Sequence, residues 1–179
     1  QENFIPDCLE IQNTDSGWNT EMHRKTDWSE NRRDDKGEMS FSGMVKEELS
    51  RQISTARHCR IAEIAALLSA CGKMTAAGIL RFQTENDAVV RKYFTLLQKT
   101  FNIETEIAIR ESRQMKKGNV YYVEITDPGQ VETVLQGTKL SVNEGDGETL
   151  YTENALLTQQ SCCKRAFIRG AFLASGSIS

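Results

Sequence analysis

Two stretches of this chain, IAALLSACG at 64–72 and IRGAFLASG at 168–176, superimpose at a fixed offset of 104 residues. In each, a small residue recurs at every fourth position: Ala62, Ala66 and Ala70 in the first, Ala166, Gly170 and Ala174 in the second. Each stretch ends in glycine, Gly72 or Gly176. Residues four apart share one face of a helix, so this pattern carves a groove along one side, and two grooved helices can approach more closely than bulky side chains would permit. The spacing therefore predicts two helices, distant in sequence, packed face to face through these six residues.

The segments around them read as helices and strands in alternation. Ser42 is a candidate N-cap for a first helix carrying Val45, Leu49 and Ile53. Residues 59–71 form the first small-residue helix. Residues 78–83 predict a strand with Leu80 and Phe82 on one face, and Thr84-Glu85-Asn86-Asp87 opens a helix to Phe101 with an apolar stripe of Val89, Tyr93, Leu96, Leu97 and Phe101. Residues 103–110 alternate, with Ile103, Ile107 and Ile109 on one face, and 120–126 place Tyr121, Val123 and Ile125 together. The link ESRQMKKGN between them has hairpin length. Asp127, Pro128 at the first helical position and Gly137 past the end frame another helix. Residues 138–160 lack periodicity. Their Asn143–Glu148 stretch matches a calcium loop only superficially, so the segment reads as a solvated linker. The fold class is α+β.

Charge divides the chain unevenly. Residues 1–38 hold ten acids and five bases, whereas 39–179 hold fifteen acids and seventeen bases, so the globular part is mildly basic although the whole chain carries −3. DWSENRRDDKGE, near the end of the first segment, is too polar to bury much surface, and 1–38 reads as a disordered leader. Met39 is a candidate start, with the preceding residues either translated upstream DNA or a natural acidic tail. Five cysteines without framework spacing fit a reducing cytoplasm. No run approaches the roughly 18 apolar residues of a spanning helix.

MSFSGMVKEELSR at 39–51, RHCRIAEIAALLSACG at 57–72, RFQTENDAVVRKYFTLLQKTF at 81–101 and CCKRAFIRGAFLASGSIS at 162–179 carry a resemblance. The paired small-residue helices resemble those of the LAGLIDADG homing-endonuclease fold, and the four segments together resemble the WhiA family of bacterial transcription regulators. The resemblance implies a LAGLIDADG-like half-domain over 39–137, a linker over 138–160 and the first helix of a second half over 161–179. It also implies a helix-turn-helix domain that this sequence does not include, and a role in sporulation and cell division in the cytoplasm, at the nucleoid. In homing endonucleases the eighth motif position is an acid that holds divalent metal against the scissile phosphates. The matching residues here are Cys71 and Ser175, and neither offers the anionic oxygen a hard cation prefers. The expectation is a scaffold without nuclease chemistry, cofactor or catalytic metal.

That family lays DNA across the sheet face turned away from the helices. On this chain the face should carry Arg81, Gln83, Glu104, Glu106, Arg110, Tyr122 and Glu124, a mixture of signs that gains little from counterion release. The better DNA contacts are Arg113, Lys116 and Lys117 on the hairpin, with Arg81 and Arg110 behind them. The implied partner is double-stranded DNA, mainly through the helix-turn-helix, with other transcription or cell-division proteins as further partners and no membrane. His58-Cys59 and Cys162-Cys163 also share the 104-residue offset and could in principle bind zinc, but adjacent ligands lack the spacing of zinc motifs, so a structural role is expected and no metal is assigned. Lys164, Arg165 and Arg169 form either the wet face of the second helix or a border to DNA. Two rivals stand beside the regulator: a protein-interaction module that never touches DNA, and an active LAGLIDADG endonuclease.

Overall fold

The computed structural model describes residues 40–110, 119–143, 145, 148–152 and 155–178. The leader expected over 1–38 lies outside them, as do Arg113, Lys116 and Lys117. Chain order runs α1 (Phe41–Arg51), α2 (Arg57–Cys71), β1 (Gly72–Met74), β2 (Leu80–Thr84), α3 (Asp87–Phe101), β3 (Glu106–Arg110), β4 (Val120–Ile125) and α4 (Pro128–Thr138). Then come β5 (Ser141–Val142), β6 (Leu150–Tyr151), a short 3-10 helix (Ala155–Thr158) and α5 (Ser161–Ser175). Helices packed on a small antiparallel sheet make the fold α+β, as expected.

The main sheet has the order β1-β2-β4-β3, with every pairing antiparallel. Strand alternation sends Leu80, Phe82, Ile107, Val123 and Ile125 inward. They meet Ile64, Leu67 and Leu68 of α2, Val89, Tyr93, Leu96 and Leu97 of α3, and Val131 and Val134 of α4 in one core. Phe82 and Tyr93 stack within it, ring centroids 4.1 Å apart. Local signals set several boundaries. Asn86 caps α3 by accepting from the amides of Ala88 and Val89, and Asp127 caps α4 by accepting from Gln130.

The structure corrects five local expectations. The cap of α1 is Ser40, which accepts from the Gly43 amide, while Ser42 lies inside the helix and exchanges hydrogen bonds with the backbone of Ile178. The strand expected from 103 starts at Glu106, because Asn102 ends α3 in a left-handed conformation and Ile103 is buried from the connecting loop. Gly137 is inside α4 rather than past it. Lys139 takes the left-handed cap position, and Gly137 leaves room for the Phe101 ring, whose Cε1 would lie 2.6 Å from an added Cβ. The unforeseen strand β1 follows α2 without a loop: Gly72 ends the helix and pairs with Phe82.

The fifth correction concerns 138–160, which is more than a linker. β5 and β6 pair, Lys73 bridges to Thr149, and the Met74 amide donates to the Glu148 carbonyl at 2.8 Å. Leu140 and Leu150 are buried. Two-residue strands anchored by single leucines are too short to leave a periodic signal.

Candidate functional site

The helices α2 and α5, distant in sequence, lie against each other along the small-residue stripe. Ala62, Ala66, Ala166 and Gly170 are buried, and Ala70 and Ala174 are half-buried. A Cβ added to Gly170 would sit 2.6 Å from the Glu63 carbonyl oxygen and 3.0 Å from the Ala66 Cβ. Backbone therefore faces backbone at this crossing, which only the smallest residue permits.

Close approach brings a fully buried carboxylate to the centre of the helix cluster. Glu63 of α2 accepts two hydrogen bonds from the Arg169 guanidinium of α5, from Nε to Oε1 and from Nη2 to Oε2, both 2.8 Å. The Lys92 ammonium of α3 adds a third contact to Oε1 at 2.9 Å, with both side chains wholly buried. Lys92 also donates to the carbonyls of Leu49, at 3.1 Å, and Gln52 at the end of α1. One carboxylate thus ties three helices together, and the lysine adds the end of a fourth. Burial depresses the Lys92 pKa below its ordinary value, while Glu63 pulls it back upward. The bidentate Glu63 contact, set against burial, raises that of Arg169. The sequence leaves Arg169 either on the wet face of its helix or at a border to DNA. Its guanidinium instead turns inward.

The two ends of the helix pair differ in chemistry. At the C-terminal end, Cys71 is half-buried with its Sγ 3.9 Å from the Ala174 carbonyl, and the exposed Ser175 hydroxyl donates to Ala171 within its own helix. These are the positions a metal-dependent nuclease of this fold fills with acids. At the N-terminal end stand His58, Cys59, Cys162 and Cys163, whose potential ligand atoms all lie within 4.8 Å of one another. The His58 Nδ1 is 3.1 Å from the Cys163 Sγ and 3.4 Å from the Cys59 Sγ. Burial, followed by the charges of Cys59 and Cys162, pushes the Cys163 thiol up to about 11.

The outer sheet face holds the remaining candidates. Arg81 is half-exposed and donates to Glu124 across the β2–β4 pair at 2.6 Å, with its guanidinium carbon 5.8 Å from the centre of the Tyr122 ring. Arg110 ends β3 opposite Val120. Lys73 of β1 joins this face opposite Arg81, an addition that could not be foreseen while β1 itself was missed. Lys164 and Arg165 are exposed on α5.

Residues 57–141 match the model of the WhiA N-terminal LAGLIDADG-like domain. Helices paired on a small antiparallel sheet, with that match, define a protein built on a LAGLIDADG-like domain. Over 145 residues the chain is 50% identical to the probable cell division protein WhiA of Lachnoclostridium phytofermentans, covering 79% of this chain and 46% of that one. It is 37% identical over 148 residues to the probable cell division protein WhiA of Desulforamulus reducens, covering 79% and 45%. The chain belongs to the WhiA family, and it spans about half the length of the curated relatives it matches. The crystal structure of full-length DUF199/WhiA from Thermatoga maritima shares the fold, with a TM-score of 0.50 at 20% identity over 75% of this chain and 39% of that one. Among the described residues no helix is long and apolar enough to cross a membrane.

Proposed function

We propose that this chain serves as the non-catalytic, DNA-associated scaffold of a WhiA-type regulator acting in cell division and sporulation at the bacterial nucleoid. The observation that carries the reading is the chemistry at the C-terminal end of the helix pair. Cys71 and Ser175 stand where phosphodiester hydrolysis needs carboxylates, while the small-residue interface that positions those ends is intact. Such a scaffold keeps the shape that straddles a duplex without the means to cut it. Phosphate contacts fall to Arg113, Lys116 and Lys117 on the hairpin, with Arg110 behind them, and sequence-specific reading falls to a helix-turn-helix.

A second reading, a protein-interaction module that does not touch DNA, draws support from Arg81. Its charge is already matched by Glu124, so it releases fewer counterions than a free arginine would. Fluorescence anisotropy of the 179-residue chain with duplex DNA separates the two. Three hairpin contacts give a log–log salt slope of about −3, at roughly −0.9 per neutralised phosphate. The double variant Lys116→Glu, Lys117→Glu should lose binding, and supercoiled DNA should survive Mg²⁺ or Mn²⁺. No binding at low salt would favour the interaction module. Metal-dependent nicking that disappears on substitution at the helix ends would restore the nuclease.

A further inference from the structure

We propose that His58, Cys59, Cys162 and Cys163 form a tetrahedral site for a soft divalent cation of the zinc class, clipping together the N-terminal ends of α2 and α5. The pairs are adjacent in sequence, which is why no metal-motif spacing is legible. The fold supplies the missing spacing by bringing two helix starts together, each contributing two ligands from its first turn.

Three independent features fit a metal. The first is ligand number and type: three thiols and one imidazole are a closed structural zinc set, and thiolate-rich tetrahedral sites favour zinc over hard cations. The second is size. Zinc bonds of about 2.3 Å to sulfur and 2.0–2.1 Å to nitrogen imply about 3.8 Å between sulfurs and 3.6 Å between nitrogen and sulfur in a tetrahedron. The His58 Nδ1 distances of 3.1 and 3.4 Å, and the 4.8 Å limit on the whole set, already approach those values. Small side-chain adjustments would close the site around an ion. The third is electrostatic. The cysteines lie in the first turns of α2 and α5, neither of which has a side-chain hydrogen bond at its N-cap, Ala56 or Gln160, and the positive end of a helix dipole favours thiolate.

Access is open from one side. A cleft of about 340 Å³ borders Cys59 and Cys162 and is lined further by Ile53, Arg165 and Arg169, and His58 is exposed. A divalent ion would displace the thiol protons as it binds and hold the sulfurs in coordination. Its structural effect is to fasten α5, which follows a segment of short strands, onto α2.

The test uses the whole 179-residue chain, reduced and freed of metal, titrated with Co²⁺ as a spectroscopic stand-in. One equivalent per chain should produce the sulfur-to-metal charge-transfer and intense visible ligand-field bands of tetrahedral thiolate coordination, and one equivalent of Zn²⁺ should bleach them. The variant Cys59→Ser, Cys163→Ser should lose the bands. His58→Ala should weaken binding while keeping the helix signal in circular dichroism. A stoichiometry well below one in the wild-type chain overturns the proposal. So does retention of the bands in the double variant, which would place the ion on other cysteines. A Cys59–Cys163 disulfide that re-forms in reducing buffer in preference to metal binding would equally refute it.

Discussion

Replacing Glu63 by alanine should be among the most damaging single changes to this fold, and its cost should depend on pH in a characteristic way. The substitution removes the carboxylate that faces Lys92 at 2.9 Å and Arg169 at 2.8 Å. Arg169 is partly exposed and borders a cleft, so its guanidinium can turn toward water. Lys92 has no such escape. It is wholly buried, and its remaining partners are the Leu49 and Gln52 carbonyls. Breaking a buried pair from one side costs about 3–5 kcal/mol. The alternative for Lys92 is to fold without its proton. From an ordinary value of 10.5, neutralisation at pH 7 costs about 5 kcal/mol, at 1.36 kcal/mol per pH unit. The two routes agree on a loss of about 3–5 kcal/mol, a large part of the 5–15 kcal/mol that holds a small domain folded.

The sign of the pH dependence follows from linkage. The folded-state pKa of Lys92 is lowered, so between the folded and unfolded values the unfolded chain binds more protons and stability rises with pH. Loss of Glu63 removes the group that raises that pKa, which widens the window downward. The deficit of the variant against wild type should therefore shrink from pH 7 to pH 9, by up to about 1.4 kcal/mol per unit. Urea denaturation at both pH values, read from midpoint and slope, measures it. Adding Lys92→Met to the variant should recover much of the loss, because an apolar side chain needs no partner there. A deficit under about 1 kcal/mol, or one unchanged between pH 7 and pH 9, would refute the reasoning.

Gly170→Ala should destabilise despite a helix-propensity gain of about 1 kcal/mol. The new methyl meets the Glu63 carbonyl of the facing backbone, and overpacking of this kind costs about 1–3 kcal/mol. Thermal melts showing a net gain would mean the helices separate easily. Arg60→Met should cost about 1–2 kcal/mol and loosen the α1–α2 connection. Its guanidinium donates to the Ser54, Thr55 and Lys99 carbonyls and to the Thr100 hydroxyl. Amide exchange measures the loosening, and unchanged protection around 52–56 would contradict it.

The features legible in the sequence are those set by short-range periodicity. Every-fourth-residue spacing marked the groove of α2 and of α5, alternation marked the inward faces of β2 and β4, and cap residues marked the starts of α3 and α4. Each is a property of one element alone. The absence of acids at positions 71 and 175 was equally plain. Elements whose existence depends on a neighbour did not announce themselves. β1 is three residues long and is a strand because β2 lies beside it, and the β5–β6 pair rests on Leu140 and Leu150 meeting a core built elsewhere.

The same division runs through the site. Glu63 and Arg169 are 106 residues apart, as the hydrogen-bonded pair shows, and His58 and Cys163 are 105 apart. No sequence pattern links Glu63 to Arg169, and the 104-residue offset places the His58-Cys59 and Cys162-Cys163 pairs at equivalent helix starts without bringing them together. What links them is the crossing of α2 and α5, fixed by Gly170 against the Glu63 backbone, which determines which side chains one turn away face each other. The chain alone specified that the two helices would meet. Only their depth of approach decided that a carboxylate would be buried among three helices, and that two cysteine-bearing helix starts would converge on a single point.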